Sequence, residues 1–78
     1  MAKVELQANG SVEAITRLMN LAHGRGFNVR VEDPAALETG SGRMEIELPI
    51  IDEQDDARAA VQALIGEVPG GRDFFTIV

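Results

Sequence analysis

The chain has no cysteine, no tryptophan and no tyrosine. Without cysteine there is no disulfide, no thiolate metal site and no thiol nucleophile. At 78 residues it lies near the lower end of what buries a core unaided, so packing must hold it together, alone or shared with a partner. Aromatic content is limited to three phenylalanines. Positive charge is also scarce: seven Lys and Arg stand against thirteen Asp and Glu, a net charge of −6 that opposes contact with a phosphate backbone. No apolar run approaches the roughly 20 residues that span a bilayer. The opening MAKVELQANG has neither a signal-peptide core nor a basic presequence. The expectation is one cytoplasmic domain over residues 1–78, with no nucleic-acid or membrane partner.

What is present is periodicity. Val4, Leu6 and Ala8 alternate with Lys3, Glu5 and Gln7, a half-buried strand. Asn9-Gly10-Ser11 breaks it, and Ser11 is placed to cap a helix from about Val12 to His23, along which Val12, Ile15, Leu18, Met19 and Ala22 recur at helical spacing. Gly24 and Gly26 can each supply a left-handed helix end. A second strand follows from Phe27 to about Glu32. Asp33-Pro34 ends it, and the stretch through Thr39-Gly40-Ser41-Gly42 reads as a loop. Arg43 to Leu48 is a third strand, with Met44, Ile46 and Leu48 on one face. Pro49 stops it. A second helix starting near Glu53 or Gln54 carries Ala57, Ala60, Val61, Leu64 and Ile65, and Gly66 and Pro69-Gly70-Gly71 end it. Asp73 to Val78 has the composition of a last strand.

The order β-α-β-β-α-β, joined by right-handed crossovers, predicts a four-stranded antiparallel sheet with both helices on one side, the α+β ferredoxin-like plan. The open face then takes Lys3, Glu5, Gln7, Asn28, Arg30, Glu32, Arg43, Glu45 and Glu47. RNA-binding domains of this topology stack bases on aromatics there, and these positions are charged. Arg30 is expected to pair across strands with Glu45 and Glu47.

Candidates for chemistry are few. His23, the only histidine, falls in the last turn of the first helix, where a cation meets the negative end of the dipole. Ser11 reads as a cap and Ser41 as a flexible tip between Gly40 and Gly42. Neither Gly40-Ser41-Gly42 nor Gly70-Gly71 leads into a helix with a Lys-Ser/Thr pair, so there is no phosphate loop. Asp52, Glu53, Asp55 and Asp56 gather at a helix start, where they complement the dipole, and they do not match a calcium loop. Asn9-Gly10-Ser11 lacks the arginine of an acylphosphatase and the cysteines of a copper chaperone. No cofactor motif and no catalytic residue emerges, so an enzyme is not expected.

The run from Leu18 to Val29, and within it Arg25-Gly26-Phe27-Asn28-Val29, resembles the helix-to-strand junction of the ACT domain. Within that family it resembles the small regulatory subunits of acetolactate synthase, and the element order extends the likeness over nearly the whole chain. In this junction Gly26 permits a tight exit, Phe27 plugs the core and Asn28 faces out. Amino-acid-sensing ACT domains carry a glycine just before the first helix. Aligned without gaps on Arg25 to Val29, that position is Glu13, and Gly10 falls three residues early. The short small subunits of the valine-insensitive bacterial isozyme are similar in size and also lack the glycine.

The resemblance implies a non-catalytic small subunit that pairs with itself through the edge of its second strand and raises or controls a thiamine-diphosphate-dependent large subunit in branched-chain amino-acid biosynthesis. Arg30, Phe74 and Phe75 are its candidates for dimer or partner contact, since the two phenylalanines would point to opposite faces of a strand. One would then leave the core, to meet a partner or to be covered by the Pro69–Arg72 loop. One alternative is a stand-alone amino-acid-binding module receiving a small effector at Asn9, Gly10, Ser11 and Asn28. Another is a ferredoxin-like interaction module without ligand.

Overall fold

The computed structural model describes residues 1–78. Its elements are β1 (Ala2–Ala8), α1 (Val12–Gly24), β2 (Asn28–Val31), α2 (Ala36–Thr39), β3 (Gly42–Leu48), α3 (Gln54–Glu67), α4 (Gly71–Phe74) and β4 (Phe75–Ile77). The strands form one antiparallel sheet in the order β2-β3-β1-β4. This is the ferredoxin-like layout expected from the element order.

Alternation along β1 and β3 buries one face of the sheet. Val4, Leu6, Met44, Ile46 and Leu48 are almost wholly enclosed, and they meet Ala14, Ile15, Leu18 and Ala22 of α1 and Ala57, Val61, Leu64 and Ile65 of α3 in one cluster. No polar or charged side chain is buried. The core is therefore held by apolar burial alone, each large side chain contributing about 1.5–3 kcal/mol.

The two ends of α1 are closed by different devices. At its start Ser11 is extended and its Oγ accepts the Ala14 N–H at 3.1 Å, satisfying one otherwise unpaired donor. At its end Gly26 adopts φ +80, its N–H donates to the His23 carbonyl, and the Phe27 N–H donates to the Ala22 carbonyl at 2.9 Å. This is a Schellman cap, in which glycine takes the left-handed position without a Cβ penalty and the next residue makes the apolar contact. Phe27 makes it, with 8% of its surface exposed. Gly24, expected as an alternative left-handed residue, lies inside the helix.

Three boundaries differ from expectation. The loop after β2 contains a helical turn, α2, started by the Asp33 carboxylate accepting the Ala35 N–H at 3.0 Å. Ala36 of that turn is buried beside Gly42. The second long helix runs past Gly66 to Glu67. The last strand starts at Phe75, because Gly71–Phe74 forms a further helical turn, α4. Gly71 is packed so tightly on the end of α3 that a Cβ there would collide with the Ile65 carbonyl. No helix is long and apolar enough to cross a membrane.

Candidate functional site

The β1–α1 loop and the α2–β3 loop meet at one end of the sheet. The Gly10 N–H donates to the Gly40 carbonyl at 2.8 Å and to Ser41 Oγ at 2.9 Å, and the Asn9 N–H donates to the Phe74 carbonyl at 2.7 Å. Of the residues expected to receive an effector, Asn9 and Gly10 thus spend their backbone donors inside the fold, and Ser11 spends its hydroxyl oxygen on the α1 cap. Ser41, expected as a free tip, is part of this junction. Asn28 is not brought to it. Asn28 pairs with Glu47 and Ala8 with Gly42, so along β3 the two sites are separated by five residues, roughly 17 Å.

An open groove of about 250 Å³ runs beside this loop, lined by Ser11, Glu13, Ala14, Arg17, Pro69 and Phe74. Through Arg17 and Pro69 it continues along Asn20, Leu21, Glu67 and Val68. Its charges are already matched: Arg17 pairs with Glu13 at 2.9 Å, and Arg25 pairs with Glu67. Glu13 is held one helical turn from its arginine.

Phe74 and Phe75 do not alternate across a strand as expected. Phe75 is buried in the core, whereas Phe74 belongs to the α4 turn and is half-buried against the same core. The Gly70 backbone lies against the Phe74 ring, 3.1 Å from a β-carbon built on it, so the Pro69–Arg72 segment covers the ring and leaves no freely exposed aromatic.

The open sheet face also pairs differently. Arg30 stands opposite Glu45 in register yet forms no ion pair with it or with Glu47. Lys3 does so instead, at 4.0 and 3.8 Å, and Arg43 reaches Glu5 at 3.1 Å. β3 has a neighbour on each side, and from β1 Lys3, directly across from Glu47, reaches both carboxylates. The sheet also gathers Glu5, Glu32 and Glu45, whose carboxylate oxygens lie within 4.8 Å of one another. Sequence reading missed this trio because it needs the register of three strands. Lys3 and Arg43 neutralise two of its members, which makes it a solvated, ion-paired face.

Elsewhere the titratable groups are superficial. His23 is exposed in the last turn of α1. The Asp52 carboxyl is held below its usual value by the hydrogen bond from the Met1 ammonium and then by that ammonium's charge.

The strand edges remain. Along β2, Asn28 and Arg30 face β3 with their backbone groups, as the Glu32 N–H to Arg43 carbonyl bond fixes, so the N–H and C=O of Val29 and Val31 point outward. Both valines are half-buried.

Comparison of the chain with models of known protein families, with curated proteins and with solved structures finds no match. Fold and surface define a class: a ferredoxin-like α+β module with an apolar core, an ion-paired open face and two unpaired strand edges.

Proposed function

We propose that the chain is an ACT-like, non-catalytic small subunit that pairs with itself along β2 and regulates or activates a thiamine-diphosphate-dependent large subunit of the acetolactate synthase type. The observation that carries this reading is the junction from Arg25 to Asn28. Gly26 is left-handed, Phe27 is buried beneath α1, and Asn28 is exposed at the head of an edge strand whose outward N–H and C=O groups are available to a second copy.

The amino-acid sensor is the weaker reading, because the Gly10 amide and the Ser11 hydroxyl oxygen are engaged within the fold. The test is the solution mass of the chain alone and with valine, leucine or isoleucine at millimolar concentration, followed by co-purification with an acetolactate synthase large subunit from the same source. A dimer indifferent to the amino acids that raises the large subunit's activity is the expected outcome. A monomer that dimerises or gains thermal stability only with an amino acid moves the function to effector sensing.

A further inference from the structure

The opposite edge of the sheet, formed by β4, is also unpaired, and its surroundings differ from those of β2. Gln7 and Thr76 are partners, the Asn9 N–H donates to the Phe74 carbonyl, and the Val78 N–H donates to the Glu5 carbonyl. By the alternation of an antiparallel ladder, the N–H and C=O of Ile77 and the carbonyl of Phe75 therefore point away from β1. Beside them lies an open groove of about 320 Å³ between β4 and α3, lined by Gln62, Ile65, Arg72, Phe75, Thr76 and Ile77. It offers a mainly polar wall from Gln62, Arg72 and Thr76, the half-buried Ile77, an unpaired strand edge and no carboxylate among its lining residues.

Charge is distributed unevenly around it. Of the seven Lys and Arg residues, Lys3, Arg17, Arg25 and Arg43 are engaged in ion pairs, which leaves Arg30, Arg58 and Arg72. Arg72 lines the groove. Arg58 sits one turn from Gln54 and one turn from Gln62 on the same row of α3. That row faces this edge, since Gln54 Nε2 donates to the Lys3 carbonyl at 2.9 Å and Gln62 lines the groove. Two of the three uncommitted guanidiniums of an acidic chain thus flank one strand edge.

We propose that β4 and α3 form a docking groove for an extended acidic segment of a partner protein, which adds as a further strand beside β4. Main-chain bonds to Ile77 and Phe75 hold the segment, side chains on one of its faces lie over Ile77 and Gln62, and its carboxylates meet Arg58 and Arg72. The proposal does not depend on the identity of any large subunit.

The test uses the whole chain and a fluorescein-labelled peptide alternating valine and glutamate, with a valine–lysine peptide as control, at up to millimolar concentration. Anisotropy reads binding and amide exchange reads its location. Expected are binding of the acidic peptide only, weakening with salt, protection of the Ile77 amide, and an affinity loss of roughly tenfold in the R58E/R72E double variant. Both arginines are exposed, so circular dichroism and denaturant midpoint should show that variant folded. No binding, equal binding of the lysine peptide, an unaltered R58E/R72E variant, or protection at Val29 and Val31 instead would each overturn the proposal. Protection of Ile77 by a second copy of the chain, without peptide, would do so as well.

Discussion

The backbone of Gly40 lies flat against Ser11: a β-carbon at position 40 would sit 2.5 Å from the Ser11 amide nitrogen and 2.8 Å from the Gly10 carbonyl carbon. Those neighbours are main chain at the head of α1 and cannot rotate aside. Gly40 also holds φ +78, which a side chain disfavours. Gly40→Ala is expected to destabilise the fold by about 2–4 kcal/mol, read as a fall in urea midpoint at unchanged slope. Gly10 shares the left-handed conformation but has open space around it, so Gly10→Ala should cost only about 1–2 kcal/mol. Equal losses at the two positions would show that the contact with Ser11 does not matter.

Phe27 is the apolar contact of the α1 cap and a member of the core cluster. Phe27→Ala should cost about 3–5 kcal/mol, and Phe27→Leu less than about 1.5 kcal/mol, by equilibrium denaturation. An unchanged midpoint in Phe27→Ala would mean that the junction is not held by its ring.

Ser11→Ala removes the acceptor for the Ala14 N–H while leaving the core untouched. The expected loss is about 1 kcal/mol, with Ser11→Asp close to wild type because a carboxylate caps equally well. Amide exchange at Ala14 reads the cap directly: faster exchange in Ser11→Ala, restored in Ser11→Asp.

The lowered Asp52 value has a defined sign. The folded carboxyl ionises below its unfolded counterpart, so its contribution is complete above the ordinary carboxylate range and disappears as pH falls through the lowered folded value. Acetylating the Met1 amine removes both the hydrogen bond and the charge. An NMR titration should then find the Asp52 carboxyl returned to its ordinary range, and a titration unaffected by acetylation would reject the pairing.

The regular elements were legible because each depends on near neighbours. Period-two alternation marked β1 and β3, helical spacing marked α1 and α3, and Ser11 announced its cap. Most of what was hidden required distant partners. Phe74 and Phe75 read as strand by composition, but the packing of Gly71 against Ile65 winds the chain into a helical turn first and carries Phe74 off the strand. Asp33-Pro34 signalled a loop, and the signal is right for its start; the Asp33 carboxylate then seeds α2. Arg30 was expected to pair with Glu45 and Glu47, but Lys3 takes both once β1 lies beside β3. The groove beside β4 has no local signature either, because its walls come from residues in α3, α4 and β4.

The two free edges of the sheet belong to its outermost strands, β2 and β4, and so lie on opposite flanks. Two copies joined β2 to β2 about a twofold axis would therefore leave both β4 grooves at the far ends of one continuous sheet. Such a particle would be bivalent. A partner carrying two acidic segments on a tether long enough to span it would be held far more firmly than one segment's affinity suggests, and a tether too short would gain nothing.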